Sequence, residues 1–230
     1  MDALSPQEWQ AVALSLKVAA WATVLSLPVG IWVAHLLARG RFPGRSVLNA
    51  VVHLPLILPP VVTGYLLLLA FGREGPVGGL LEDMGLVLAF RWTGAVLAAA
   101  VMAFPLMVRA IRLSIEAVDP GLEQAGATLG ASPIWVFLTV TLPLALPGII
   151  AGIILAFAKA MGEFGATITF VANIPGQTQT LPTAIHAFLQ LPGGEASAMR
   201  LVVISVVISV SALVISELLA RRVSRRVAGA

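Results

Sequence analysis

The 230-residue chain is 59% hydrophobic and only 11% charged, whereas soluble domains carry about 25% charged residues, so a water-facing globular surface is excluded. Its 14 Lys and Arg against 11 Asp and Glu give a net charge of +3, and these charges cluster between apolar runs, which points to membrane topology and away from nucleic-acid binding. Cysteine is absent, which rules out disulfides and thiolate–metal sites.

The chain opens MDALSPQEW, without Lys or Arg, and so lacks the basic start of a cleavable signal. Ser5-Pro6-Gln7-Glu8 instead fits a capping box with proline at the first helical position, and the first helix is expected to start there and be retained. A membrane-crossing helix needs about 20 apolar residues. Suitable runs lie at 18–38, 47–71, 92–108, 144–171 and 201–220. The second is broken by Pro55, Pro59 and Pro60, an irregularity that lipid tolerates only where protein or a wet cavity shields the backbone. The fourth contains Lys159 and Glu163, and the fifth contains Glu217.

Five spans place the termini on opposite sides. The C-terminal RRVSRR has four arginines in six residues, which makes that end cytoplasmic and the N-terminus external. The loop RGRFPGR (39–45) then also falls inside, as do Arg109 and Arg112 at the end of span three. The other side receives Asp2, Glu8, Glu74, Glu82, Asp83 and Glu195, with Arg73, Arg91 and Arg200 as its arginines. Residues 164–194 carry no formal charge, and PTAIHAFLQL (182–191) has helical periodicity. Ten residues make a helix roughly 15 Å long, half a hydrocarbon core, so an interfacial or re-entrant helix is expected, with a sixth span as the alternative.

On this topology residues 109–143 are cytoplasmic. Asp119-Pro120 supplies an N-cap and a first-turn proline for a helix running to about Leu129, and Gly130 suits the left-handed residue that ends it. Ser132-Pro133 repeats the device and opens a second helix, which Pro143 and Pro147 terminate or bend. Ala125, Gly126 and Leu129 give the first helix little bulk, so its backbone can approach another surface. Two readings stand: a solvated connector, or a rigid lever docking into a cytoplasmic partner.

Gln124-Ala125-Gly126, then Gly130, then Val140-Thr141-Leu142-Pro143 resembles the EAA loop of bacterial ABC-importer permeases, written E-A-A, three residues, G, nine residues, I-x-L-P. The spacing matches throughout; Gln124, Gly126 and Val140 depart from the pattern, and Glu123 lies one place before it. The likeness extends through HLPLILPPVVTGYLLL, AVLAAAVMAFPLMVRAIRL and AMGEFGATITFVANIPGQTQTLPTAI, which are similar to the molybdate permease subunits of that superfamily, with the sulfate branch as the neighbouring alternative. The resemblance implies an all-α integral membrane protein with the type I ABC-importer permease fold. It implies one permease domain over 1–230, with the coupling segment at about 113–142. Glu123, Gln124, Ala125, Gly126, Leu129 and Gly130 would meet a separate ATPase chain, which would bind the ATP and magnesium; this chain would bind no cofactor. The implied partners are a second copy of the chain, two ATPase subunits, a molybdate-binding protein outside the membrane, and membrane lipid.

Within span four, Gly148, Gly152, Ala156, Lys159 and Glu163 step by four, four, three and four, as on one helix face, and the glycines form a G-x-x-x-G suited to close packing. A charge in mid-bilayer costs at least about 2.5 kcal/mol on insertion scales, so this face should turn toward protein or water. The Lys159–Glu163 pair is either a structural lock or part of an anion path. Thr63, Gly64 and Tyr65 offer hydroxyls and backbone amides to a passing oxyanion, or a helix contact through Gly64. Lys17 is placed near the outer interface, where long side chains snorkel. Asn173, Gly176 and Gln177 lie in a polar turn, NIPGQTQT, either a plain loop or, by the resemblance, a surface beneath the binding protein. His35, His53 and His186 lack metal-ligand spacing. Only two lysines occur and neither follows glycine, so a phosphate-binding G-x-x-x-x-G-K-[ST] loop is excluded and any ATPase must be another chain. An ATP-independent channel or scaffold is the competing class, since it would not need the loop spacing.

Overall fold

The computed structural model describes the backbone of residues 4–227, and their side chains except those of Leu213, Ser216, Glu217 and 219–227. Asp2 and the side chains of Glu217 and of the RRVSRR arginines therefore lie outside the described residues. The described residues are helical, without a strand.

Helix α1 (Pro6–Arg39) begins with the expected capping box. The Glu8 amide donates to Ser5 Oγ at 3.2 Å and the Ser5 amide to Glu8 Oε2 at 2.6 Å. Helices α2 (Arg45–Ile57) and α3 (Pro60–Phe71) meet at 115°. Of the three prolines expected to break this run, Pro55 is accommodated inside α2. The break falls at Pro59-Pro60, where Leu58 and Pro59 are extended because each precedes a proline. A short α4 (Gly78–Asp83) leads to α5 (Trp92–Glu116), which continues eight residues past the apolar run ending at 108. After α6 (Pro120–Thr128) and α7 (Pro133–Val136), residues Phe137–Thr141 form a π-helical turn. Its closing bond joins the Leu142 amide to Phe137 O, beside Pro143, which has no amide of its own to give.

Helices α8 (Leu142–Leu144) and α9 (Leu146–Met161) follow, with a 71° bend at Ala145 between Pro133–Leu144 and Leu146–Met161. The run 144–171 is thus not one continuous span: α9 stops at Met161 and a separate α10 covers Gly165–Val171. Glu163 consequently sits beyond the helix that carries Lys159, not on its face as the spacing suggested. Nine-residue α11 (Leu181–Leu189), about 14 Å long, is too short to cross a bilayer, which disfavours a sixth span. It packs its buried Leu181 and Ala184 with Ala11 and Val12 of α1 and Leu201 of α12 (Glu195–Val227). Among the described residues three helices, α1, α5 and α12, are long and apolar enough to cross a membrane, and each bent pair counted as one span brings the number to five.

The core is built on small residues along α1, α5 and α9. Gly30 lies against Met107, and a Cβ at Gly148 would come within 2.2 Å of Ser114 Cβ and one at Gly152 within 3.1 Å of Met107 O. The G-x-x-x-G therefore works as the spacing predicts, by bringing two backbones together. These contacts set directions. α1 and α5 run parallel, since Lys17 meets Trp92 near their starts and Arg39 meets Val118 near their ends; α9 runs against them. At the end where α1 starts, called the upper end here, buried Glu8 receives Arg200 of α12 at 2.8 Å, so α12 starts there too.

Candidate coupling site and intramembrane contacts

At the lower end, α6 is a self-contained capped unit. Asp119 accepts the Gly121 amide at 2.8 Å, and the C-terminus closes with Ala131 N to Gly126 O at 3.2 Å and Gly130 N to Ala127 O at 3.0 Å. Those two bonds form a Schellman motif, which requires the left-handed residue that Gly130 provides at φ +86°. Ser132 takes the N-cap position of α7 but makes no side-chain cap bond, so only the proline half of that device is used.

No residue of α6 is buried, and Leu129 is 88% exposed. Gln124 and Ala125 face outward beside it, while Ile134 and Trp135 of α7 are exposed on the same loop. Gly126 is different. A Cβ there would lie 3.3 Å from Val136, so its small size admits α7 rather than an outside surface.

Glu123 turns inward. Its carboxylate lies 3.0 Å from Arg39 Nε and accepts the Thr141 hydroxyl at 2.7 Å, while Arg39 Nη2 donates to Val118 O at 2.7 Å. One carboxylate thereby ties together the end of α1, helix α6 and the π turn. The sequence puts Glu123 in this segment but carries no signal of its partners, which are 84 and 18 residues away. A cavity of about 430 Å³ adjoins this tie, with His35 and Phe137 on its wall, their rings edge to face at 4.6 Å.

The intramembrane candidates separate into three groups. Lys159 Nζ bonds Glu163 Oε2 at 2.8 Å, and Glu163 Oε1 accepts the Ala166 amide at 3.0 Å. The Glu163 side chain is 2% exposed against 30% for Lys159, so the carboxylate is held inside, where it also caps the start of α10. Gly64 faces the same helix: a Cβ there would fall 2.6 Å from Ala166 O and 2.9 Å from Thr169 Cβ. Gly165 in turn lies against Pro60. Thr63 is buried with no partner for its hydroxyl, whereas Tyr65 is 53% exposed, so these three do not converge on one point.

In the upper-end turn, Gly176 (φ +75°) and Gln177 are exposed, and Ile174 O collects the amides of Gln177, Thr178 and Gln179. Asn173 is partly buried with Oδ1 unpaired, and Ala172 before it has φ +63°. The turn is fastened to α1 by Gln7 to Gln179 at 2.9 Å and by Leu181 N to Ser15 Oγ at 2.6 Å. Lys17 sits 3.6 Å above the Trp92 ring centre, a cation–π contact rather than simple snorkelling. Among the described residues, no group of three or more His, Asp or Glu side chains is arranged to hold a metal.

The bundle of bent and broken apolar helices thus carries an exposed capped helix at one end, and comparison with known proteins gives its family. Residues 26–225 match the model of the binding-protein-dependent transport system inner membrane component, so the chain belongs to that family and is a transport subunit of the membrane. It is similar to the molybdenum transport system permease protein ModB of Escherichia coli K12, 60% identical over 98% of this chain and 99% of that one. It is also 54% identical to ModB of Haemophilus influenzae over 95% and 96% of the two chains. Its fold is that of a bacterial ABC transporter involved in import of the acidic polysaccharide alginate. The TM-score is 0.71 at 19% identity, over 96% of this chain and 80% of that one.

Proposed function

We propose that this chain is the permease subunit of an ATP-driven importer that moves molybdate, and with it tungstate, across the cell membrane by alternating access. The observation that carries the substrate is the 60% identity to a molybdenum permease along nearly the whole chain. Two copies form a two-fold pore. Each docks one ATPase subunit through residues 119–133 within a coupling segment at about 113–142, and a molybdate-binding protein seats on the opposite face. ATP and its magnesium belong to the ATPase.

The lever reading of α6 rests on its Schellman cap, its lack of buried residues and its exposed Leu129, Ile134 and Trp135. Apolar side chains presented on a loop outside the membrane mark a protein contact. Gln124, Ala125, Leu129 and Gly130 form the docking face, while Glu123 and Gly126 hold the lever to the bundle. The five crossings run N-terminus outside to C-terminus inside, because Arg39, Arg41, Arg45, Arg109 and Arg112 gather toward the lower end. Lys159–Glu163 and Gly64 act as packing elements around α10, and Thr63 with its unpaired hydroxyl is the better candidate for a polar step along the path. Asn173, Gly176 and Gln177 belong to the binding-protein face.

The absence of native cysteine makes the docking test clean. A Leu129→Cys variant, crosslinked in membranes that contain the cognate ATPase, should give a permease–ATPase adduct. Trapping only lipid or nothing, in a complex that still hydrolyses ATP, would remove the lever from the mechanism.

A further inference from the structure

Three cavities lie end to end along the seam between α1 and α5. The first, about 560 Å³ at the upper end, is walled by Lys17, Arg91, Trp92 and Gln177. The second, about 570 Å³, is walled by apolar side chains such as Trp21, Leu25 and Leu97, and shares Trp92 and Thr93 with the first. The third, about 340 Å³, shares Ser26 and Ala100 with the second, is walled also by Val51, Val52 and Pro55 of α2, and ends at Val29 and Phe104. Together they make one groove with a cationic mouth and an apolar floor.

The mouth is built to hold an anion. Lys17 is fixed over Trp92, and neither Lys17 nor Arg91 takes part in any of the ion pairs among the described residues. The Thr93 hydroxyl, at the junction of mouth and floor, is buried without a hydrogen-bond partner. Buried polar atoms are rarely left unpaired, so this hydroxyl keeps an unspent donor beside the mouth.

The length of the groove identifies the occupant. Lys17 to Val29 is 12 residues of α1, about 18 Å of helix, and Thr93 to Phe104 is 11 residues of α5, about 16 Å. A hydrocarbon core is about 30 Å thick, so the groove is one leaflet deep. A crossing helix of a second copy would need the full thickness, and a free oxyanion would have no use for the apolar floor.

We propose that this groove binds one anionic phospholipid, its phosphate between Lys17 and Arg91 with Thr93 donating to it, and one acyl chain lying along the seam to Phe104. The inference rests on the chain crossing a membrane and is independent of its cargo.

Native mass spectrometry of the purified transporter complex, titrated with phosphatidylglycerol or phosphatidylcholine, tests it. Wild type should retain phosphatidylglycerol preferentially. Lys17→Gln with Arg91→Gln should weaken that binding about 25-fold, two basic residues each contributing roughly fivefold. Lys17→Arg with Arg91→Lys should retain it, which separates lost charge from lost folding. Ala100→Phe, which fills the floor, should weaken both lipids. Equal retention of the two lipids, or unaltered phosphatidylglycerol binding in the double glutamine variant, would overturn the proposal. So would displacement of the lipid by millimolar molybdate, or a Leu25→Cys disulfide between two copies, which would give the groove to the cargo or to a second chain.

Discussion

Gly130 allows backbone strain to be separated from contact. Its φ of +86° closes the Schellman motif, and a Cβ added there meets no atom within 4 Å. Alanine therefore introduces no internal clash and costs only the left-handed conformation, about 1–2 kcal/mol. That shifts the lever between closed and frayed ends by a factor of about 5–30. Valine, branched at Cβ, costs more, and asparagine, which tolerates this region, costs less. Coupled uptake, measured as anion transported per ATP hydrolysed in proteoliposomes, should fall in the order Gly, Asn, Ala, Val. A steric clash with the ATPase would invert the middle pair, because asparagine is the larger side chain. If asparagine proves worse than alanine, or if Gly130→Val keeps full uptake, the elbow is not what the lever depends on.

Other consequences follow from the contacts. Glu123→Gln and Thr141→Val should each lower the thermal midpoint of the complex, since hydrogen bonds to charged groups contribute about 1.5–3 kcal/mol and this partly exposed tie sits at or below the lower figure. Their double variant should be less destabilised than the sum, and strict additivity would mean that the tie is not formed. Lys159→Met alone, which leaves the buried Glu163 carboxylate without its cation, should reduce assembled transporter more than Lys159→Met with Glu163→Gln, because a lone buried charge is worse than none; the yield of detergent-solubilised complex reads this directly. Normal assembly of the paired variant with lost uptake would instead move the pair into the anion path. Gly64→Val should prevent α3 from seating on α10, given the 2.6 Å approach to Ala166 O, and a normal yield of that variant would contradict the packing role.

Local chemistry was legible in the sequence where one short segment decides the outcome. Ser5 to Glu8 and Asp119 to Gly130 folded as their cap residues dictate, because every partner lies within a few positions. The G-x-x-x-G of α9 was legible for the same reason, as one face of one helix. Breaks were harder. Proline spacing flagged span two, but Pro55 and Pro59 carry the same local penalty, and only the pairing of Pro59 with Pro60 removes two successive amides. The end of α9 at Met161 had only Gly162 as a warning, within a run of otherwise helical pattern. Long-range ties were not legible at all. Nothing near Glu8 announces Arg200, and nothing near Glu123 announces Arg39, because such pairs are made by the packing of small residues along distant helices.

The central claim is that this chain passes molybdate under control of a separate ATPase. Reconstituting it with the cognate ATPase and binding protein and following ATP-dependent molybdate uptake, with excess tungstate or sulfate as competitor, tests that claim most directly. The account predicts uptake that requires ATP and is blocked by tungstate but not by sulfate. Block by sulfate would place the chain in the sulfate branch, and uptake that persists without ATP would contradict the account altogether.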